Sequence, residues 1–143
     1  MRRPSVALQV KICGLTEPDR VAQAAQLGAA FLGFVFYPPS PRYLDPARAR
    51  ELVSAVPIGT ETVGLVVDAT DAEIDTLLQA VPLDVLQLHG YETPERVAEI
   101  VLRSGCRVIK ALRVETANDL LSVSAFADAA DMLLFDAKPP RDA

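Results

Sequence analysis

The stretch from Leu8 to Phe36, LQVKICGLTEPDRVAQAAQLGAAFLGFVF, contains the pattern that decides the fold. It opens with a short apolar, β-branched run at 8–13, continues through a segment of helical spacing at 18–27, and returns to an apolar run at 31–36. Thr16 stands just before Glu17 and Pro18, an arrangement typical of a helix start. The stretch therefore predicts a strand, a helix and a second strand.

The same alternation continues along the chain. Further apolar runs lie at 62–67, 84–89, 107–112 and 131–136. Segments of helical spacing separate the runs at 46–55, 71–80, 94–103 and 117–126. Asp45, Thr70 and Thr93 each stand where an N-cap is expected, and Glu73 completes a capping box with Thr70. Alternating units of this kind predict a parallel sheet covered by helices, in the form of an open doubly wound sheet or a closed barrel.

The first turn favours the barrel. A doubly wound nucleotide-binding sheet normally has a Gly-rich turn after its first strand, whereas this run leads into CGLTEP with a single glycine, Gly14. A complete barrel takes about 200 to 250 residues, and the 143-residue sequence offers six strand-like runs. We therefore expect a (β/α)8 TIM barrel with only its first six βα units in this chain. Residues 1–143 would form a single barrel domain that is incomplete at its C-terminal end.

Composition excludes several classes of protein. The net charge is −5, and the chain has three Tyr, five Phe and no Trp, which argues against a nucleic-acid binder. No apolar run approaches the roughly 18 residues of a membrane span, and the apolar stretch after the basic N-terminus is too short for a signal peptide. Two cysteines form neither a disulfide framework nor a metal motif. We expect a cytoplasmic protein that binds neither nucleic acid nor a membrane.

Polar residues recur where the predicted strands end. Side chains two residues apart on a strand share a face, so Lys11 lies with Cys13 and Gln87 lies with His89. Asp136 ends the sixth run. In a parallel barrel the chemistry takes place at the C-terminal ends of the strands. The sequence therefore predicts that Cys13, His89 and Asp136 meet at one rim.

Four motifs then identify a family. KICG at 11–14, SPR at 40–42, LQLHG at 86–90 and LLFDAK at 133–138, in this order, resemble the phosphoribosylanthranilate isomerase family of tryptophan biosynthesis. The resemblance implies a (β/α)8 barrel that acts on a small phosphosugar–anthranilate substrate. It implies an Amadori rearrangement of N-(5-phosphoribosyl)anthranilate to 1-(2-carboxyphenylamino)-1-deoxyribulose 5-phosphate. It also implies that no metal and no organic cofactor is needed.

The resemblance also implies roles for three residues. Cys13 matches the general base that takes a proton from C2 of the opened sugar, and Asp136 matches the general acid that protonates the ribose ring oxygen. Arg42 matches the arginine that binds the anthranilate carboxylate with its planar fork. The competing interpretations are a small buried hydrophobe for Cys13, a turn residue for Asp136 and a solvated loop residue for Arg42.

Position alone supports the remaining assignments. His89 is the single histidine, and we interpret it and Lys11 as residues that line the substrate pocket, although His89 could be simply hydrogen-bonded in place. Lys11 and Lys110 are both expected to point inward and to be paired inside the barrel. Cys106 precedes the fifth run, at the opposite end of the strands, and is expected to have a packing role rather than a catalytic one.

Two other functions stay open. A related phosphosugar barrel, such as an epimerase or lyase of ribulose phosphates, would share the β-α rhythm. A non-enzymatic fragment, stable only as an oligomer or with a complementary piece, is the other alternative. The family's phosphate-binding turns follow strands seven and eight, so we expect the segment alone to lack activity and its partner to be a homodimer mate or a further C-terminal segment.

Overall fold

The computed structural model describes residues 7–138. The basic start at 1–6 and the last five residues lie outside this range. The elements within it are β1 (Lys11–Cys13), α1 (Pro18–Gln26), β2 (Phe31–Val35), α2 (Pro46–Ser54), β3 (Glu61–Val66), α3 (Asp71–Ala80), β4 (Val85–Leu88), α4 (Pro94–Ser104), β5 (Arg107–Val114), a 3-10 helix (Ala117–Ser122), α5 (Val123–Ala129) and β6 (Met132–Ala137).

All six strands belong to one parallel sheet in the order β1-β2-β3-β4-β5-β6. Each apolar run of the sequence becomes one of these strands, shifted by at most a few residues. The strand order follows the chain without a reversal. A doubly wound sheet, in contrast, has a point at which the strand order reverses. The carboxyl ends of all six strands therefore lie along the same rim.

The expectation of a (β/α)8 TIM barrel is wrong. Within residues 7–138 the sheet has six strands, β1 pairs only with β2, and β6 pairs only with β5. The fold is an open, six-stranded parallel half-barrel. The six strands expected in this chain are present. The closed eight-unit barrel came from the usual size of a barrel and from the family resemblance, and not from the strand signals of the sequence.

The two faces of the sheet are packed differently. The larger apolar cluster lies between the sheet and the helices and includes Leu32, Phe34 and Leu88. A smaller cluster on the inner face is formed by Phe31, Val63, Val85 and Ile109. Strand residues alternate between the two clusters, as the pleat requires. The inner face is thus apolar in its middle and leaves its C-terminal end to polar side chains.

Capping side chains begin three of the helices as predicted. Asp45 accepts a hydrogen bond from the backbone N–H of Arg48 at 3.0 Å, and Thr93 accepts one from Arg96 at 3.1 Å. Thr70 heads a complete capping box on α3. Helix α1 differs, because its N-cap is Glu17, which makes no side-chain cap bond, and Thr16 lies one residue too early.

The helix expected at 117–126 forms in two parts. A 3-10 turn at Ala117–Ser122 precedes α5 at Val123–Ala129. The Asp119 carboxylate accepts hydrogen bonds from the backbone N–H groups of Glu115 and Thr116, at 2.9 and 3.0 Å, and so fixes the tight first turn. Among the helices of residues 7–138, none has the length and apolar character needed to cross a membrane.

Candidate active site

The rim at the C-terminal ends of the strands holds three of the predicted residues. Cys13 ends β1, His89 directly follows β4, and Asp136 lies near the end of β6. The strand register places Cys13 beside Gly33. A Cβ atom at Gly33 would approach the Cys13 Sγ to 3.0 Å, so the glycine leaves room for the thiol. Cys13 is a free cysteine, half-buried at this rim.

A chain of hydrogen bonds crosses the inner face from β1 to β6. The Lys11 Nζ donates to Gln87 Oε1, and Gln87 Nε2 lies 3.1 Å from His89 Nδ1. His89 Nε2 lies 3.1 Å from Asp136 Oδ2. The structure therefore brings Lys11, His89 and Asp136 together. Gln87 links them, although the sequence analysis placed it on the face of His89 without making it a site residue; its spacing of two from His89 was the available signal.

Burial and the neighbouring Cys13 act on the charge of Lys11 in opposite directions. Burial lowers the pKa of Lys11 from its ordinary value, while the attraction of its ammonium to Cys13 opposes that shift. The two residues occupy the same face of β1, two positions apart. A cation therefore stands next to the thiol at the rim.

Arg42 lies against the same strand end. Its Nη1 donates to the backbone oxygen of Cys13 at 3.1 Å, and its own backbone N–H donates to Ser40 Oγ at 3.2 Å. Gly14 has a φ of +84°, and a Cβ atom there would collide with the Arg42 guanidinium. Gly14 thus allows the guanidinium to cross the turn after β1 and to sit next to Cys13.

Arg113 supports His89 from the neighbouring strand. Its Nη2 donates to the backbone oxygen of His89 at 3.0 Å, and its guanidinium lies 5.0 Å from the centre of the Tyr91 ring. Arg113 also stands opposite Asp136 in the β5–β6 register. The sequence analysis missed Arg113, because a contact to a backbone oxygen 24 residues away leaves no local pattern.

Two buried charges organise the loops next to His89. The Glu92 carboxylate accepts from Lys110 Nζ at 2.7 Å, from the Gly90 N–H at 2.9 Å and from the Asp68 N–H at 2.9 Å. Burial raises the pKa of Glu92, but the hydrogen bonds from Lys110 and the backbone outweigh it, and the net shift is downward. The Glu92 carboxylate, paired with Lys110, thus joins the loop after β3 to the loop after β4.

The inward orientation expected for Lys110 is wrong. Lys110 stands beside Leu88 in the β4–β5 register, on the face that the helices cover, and its Nζ lies 5.7 Å from the centre of the Phe126 ring. It is paired with Glu92, but outside the concave face that holds Lys11. The apolar neighbours Ile109 and Ala111 on both sides concealed the alternation in the sequence.

Cys106 lies at the other end of the sheet, as expected. It precedes β5, packs against the larger apolar cluster, and directs its Sγ toward the Leu83 backbone oxygen at 3.6 Å. Burial raises the pKa of its thiol. The two cysteines of the chain therefore occupy opposite ends of the strands.

The rim thus gathers a thiol, an imidazole, a carboxylate and a guanidinium around one open face. The thiol and the carboxylate stand on the two outermost strands, β1 and β6, where a base and an acid could act on different atoms of one substrate. Within residues 7–138, no three His, Cys, Asp or Glu side chains group as a metal site would require.

Comparison with known proteins gives this rim a context. The family model described as N-(5'phosphoribosyl)anthranilate (PRA) isomerase matches residues 10–141. The chain belongs to this family. A PRA isomerase from Paracoccus denitrificans (strain Pd 1222) is 52% identical over 138 residues, which cover 96% of this chain and 64% of that protein. One from Paramagnetospirillum magneticum is 52% identical over 136 residues, covering 95% and 63%. The chain therefore spans less than two thirds of the length of these curated PRA isomerases.

Solved structures of PRA isomerases share the fold. The enzyme from Thermotoga maritima superposes with a TM-score of 0.86 at 33% identity, covering 94% of this chain and 64% of that one. A second PRA isomerase, in complex with reduced 1-(o-carboxyphenylamino)-1-deoxyribulose 5-phosphate, gives a TM-score of 0.84 at 32% identity, covering 92% and 66%. A further Thermotoga maritima structure is of monomers generated from a dimeric PRA isomerase.

Proposed function

We propose that this chain provides the catalytic rim of an isomerase of tryptophan biosynthesis that acts on N-(5-phosphoribosyl)anthranilate. The reaction is the Amadori rearrangement to 1-(2-carboxyphenylamino)-1-deoxyribulose 5-phosphate. The observation that carries the proposal is the meeting of Cys13, Arg42, His89 and Asp136 at one end of the sheet. The family membership of the chain supports the same substrate class.

Asp136 acts first in the proposed reaction. Its carboxyl group gives a proton to the ribose ring oxygen, the C1–O bond breaks with its electrons going to that oxygen, and the anthranilate nitrogen forms a C1=N bond. The side chain of Asp136 is 46% exposed, so a substrate on the concave face can reach it. His89, which directly follows β4, contacts Oδ2 of Asp136 through its Nε2 and so orients this side chain at the rim.

Cys13 then removes the proton from C2 of the opened sugar. The electrons of the C2–H bond form C1=C2, and those of C1=N return to nitrogen, giving an enol amine. The Asp136 carboxylate left by the first step takes the proton of the C2 hydroxyl, and the Cys13 thiol returns its proton to C1, which gives the ketone and restores both groups. A thiolate serves as the base when a positive group is near, and both Lys11 and the iminium of the substrate provide that charge.

Arg42 and Lys11 complete the substrate contacts. The Arg42 guanidinium lies next to Cys13, so a carboxylate bound in its fork would hold the anthranilate end of the substrate near C1 and C2. Lys11 reaches the rim through Gln87 and lines the pocket floor. We further propose a cytoplasmic location and a homodimer, for which gel filtration gives the test of assembly.

The proposed function is tested by following two substrates in parallel. N-(5-phosphoribosyl)anthranilate is incubated with the chain, alone and with the separately expressed portion of the Paracoccus denitrificans relative that the match leaves uncovered. The ketone product is trapped by borohydride reduction and identified by chromatography. We expect conversion of this substrate when the separately expressed portion is present, none by the chain alone, and no epimerisation or cleavage of ribulose 5-phosphate in either preparation. Conversion in neither preparation, or turnover of ribulose 5-phosphate instead, would contradict the proposal.

A further inference from the structure

The hydrogen bonds between Lys11 and Asp136 have a fixed direction. A lysine ammonium can only donate, so the Gln87 atom that faces Lys11 is the carbonyl oxygen Oε1. The amide nitrogen Nε2 of Gln87 must then face His89. The orientation of this amide, which shape alone does not determine, is set by the charge of its neighbour.

The amide orientation determines which ring nitrogen of His89 carries the proton. Gln87 Nε2 brings an N–H group to His89 Nδ1 at 3.1 Å, so Nδ1 must offer its lone pair. A neutral imidazole has one donor and one acceptor, which leaves the proton on Nε2. Nε2 lies 3.1 Å from Asp136 Oδ2, a carboxylate oxygen that accepts the hydrogen bond from Nε2–H. Each contact in the chain then joins one donor to one acceptor.

The other protonation states fail at one or more contacts. With the proton on Nδ1 of His89, the ring N–H would point at the amide N–H of Gln87, and the Nε2 lone pair would face a carboxylate. A doubly protonated ring would keep the unfavourable contact between its Nδ1–H and the amide N–H of Gln87. Turning the Gln87 amide to relieve it would require an uncharged amine at Lys11.

The surroundings make a mismatch costly. Gln87 is 2% exposed, so its amide group has no water to turn to, and an unpaired buried polar group is strongly unfavourable. Arg113 holds the backbone oxygen of His89, which limits movement of the ring away from the amide. Three charged groups face the hydrogen-bonded side chains of Gln87 and His89. They are Lys11 on β1, Arg113 on β5 and Asp136 on β6.

We propose that Gln87, anchored by Lys11, is a positioning residue that fixes His89 as the Nε2–H tautomer and directs that N–H at Asp136. The role of Asp136 in this statement rests on the proposed function, but the tautomer does not. Because Oδ2 of Asp136 accepts the hydrogen bond from His89 Nε2–H, Oδ1 is the oxygen that carries the proton delivered to the substrate.

The sequence provides an unusually direct test, because His89 is the single histidine of the chain. The protein is labelled with 15N-histidine, and long-range 1H–15N correlation spectra are recorded at neutral pH, where Lys11 keeps its charge. We expect Nε2 to resonate in the range of a protonated ring nitrogen and Nδ1 in the range of an unprotonated one. The reverse pattern, two protonated nitrogens or an averaged pair would overturn the proposal.

Variants then test the cause. Gln87→Glu replaces the amide N–H with an acceptor, so the Nδ1 resonance should move to the protonated range. Lys11→Met frees the Gln87 amide to turn and should shift Nδ1 part of the way, whereas Lys11→Arg, which keeps a donor, should restore the wild-type pattern. Gln23→Glu on the exposed helix α1 is the matched control and should change neither resonance.

The outcomes separate this inference from the proposed function. If Nδ1 stays unprotonated in Gln87→Glu and in Lys11→Met, Gln87 does not set the tautomer and the inference is wrong, whatever the catalytic assay shows. If the tautomer follows the variants but no conversion of N-(5-phosphoribosyl)anthranilate is found, the inference stands and the proposed function fails. Gln87→Glu and Lys11→Met change different residues, so if one variant does not fold, the other still tests whether Gln87 sets the tautomer.

Discussion

The two ends of the sheet use their polar side chains in different ways. At the N-terminal ends two aspartates bind the backbone of a neighbouring strand, beside one ion pair between Arg107 and Glu61. Asp84 Oδ2 accepts from the Thr62 N–H at 2.8 Å, and Asp131 Oδ2 accepts from the Val108 N–H at 2.7 Å. At the C-terminal ends one row of side chains, from Lys11 to Asp136, is joined by side-chain contacts. Arg42 and Arg113 bind backbone oxygens beside this row. One end aligns neighbouring strands, and the other forms a cluster of side chains.

This difference separates stability from chemistry. A carboxylate that accepts backbone N–H groups has its hydrogen-bonding capacity occupied in holding strands together. Asp136 is bound by one ring nitrogen in the contacts described and is 46% exposed, so part of its capacity faces the open side of the sheet. The division agrees with the general rule that parallel barrels place catalytic groups at the C-terminal ends of strands and stabilising groups at the other end.

The largest effect on turnover is expected from a comparison of two aspartates at opposite ends of β6. Asp136→Asn removes the proposed acid and should lower turnover by about 100-fold or more, while the free energy of unfolding changes little. Asp131→Asn, at the other end of β6, should leave turnover almost unchanged and cost about 1 kcal/mol of stability, because it weakens one backbone hydrogen bond. Steady-state kinetics and urea unfolding of both variants give the comparison. Loss of turnover in Asp131→Asn with loss of stability in Asp136→Asn would contradict the prediction.

Glu92 sharpens the contrast, since its carboxylate accepts backbone N–H groups at the C-terminal end of the strands. Glu92→Gln leaves Lys110 buried without its counter-charge and should lower the free energy of unfolding by about 3 to 5 kcal/mol. The control is Glu51→Gln, whose ion pair with Arg48 is exposed and should contribute less than about 1 kcal/mol. Equal losses in the two variants would show that the loop network does not stabilise the rim.

Arg42 should act on binding more than on the chemical step. Loss of a charge-assisted contact costs about 1.5 to 3 kcal/mol, so Arg42→Ala should raise KM for N-(5-phosphoribosyl)anthranilate by about tenfold or more with a smaller change in kcat. Arg48→Ala on helix α2 serves as the control for loss of an exposed arginine. An unchanged KM in Arg42→Ala would remove the residue from the carboxylate site.

The smallest effect concerns acid stability away from the rim. Hydrogen bonds from the backbone of Thr116 and Glu115, with one from Lys138, lower the pKa of Asp119 to about 2. A carboxyl whose folded-state pKa is depressed stabilises the fold above its unfolded-state pKa of about 3.9, and the contribution is lost as pH falls toward about 2. The Tm difference between wild type and Asp119→Asn should therefore shrink over that interval. A difference that grows on acidification would contradict this assignment.

Local patterns in the sequence predicted most of the fold and part of the site. Apolar runs located six strands, the side chains of Asp45, Thr70 and Thr93 located helix starts, and a spacing of two residues placed His89 with Gln87. These signals depend on neighbours along the chain, and so a single sequence displays them.

What the sequence did not predict depends on distant partners. The (β/α)8 barrel was taken from the usual size of such domains and from the family resemblance, whereas the six runs form an open half-barrel. Glu92 and Arg113 bind groups 18 and 24 residues away, and nothing in their immediate neighbours marks those contacts. Lys110 lies between apolar residues on both sides, so the sequence offered no alternation from which its face could be read.

The two cysteines provide the most direct test of the division between the ends of the sheet. Cys13 stands at the rim beside Arg42, and Cys106 packs before β5 at the opposite end. The measurement is the turnover of N-(5-phosphoribosyl)anthranilate by Cys13→Ala and Cys106→Ala under identical conditions. The account predicts a loss of about 100-fold or more for Cys13→Ala and nearly full activity for Cys106→Ala in the folded protein. Retention of more than about a tenth of the wild-type turnover by Cys13→Ala would contradict the assignment of the base and, with it, the catalytic role of this rim.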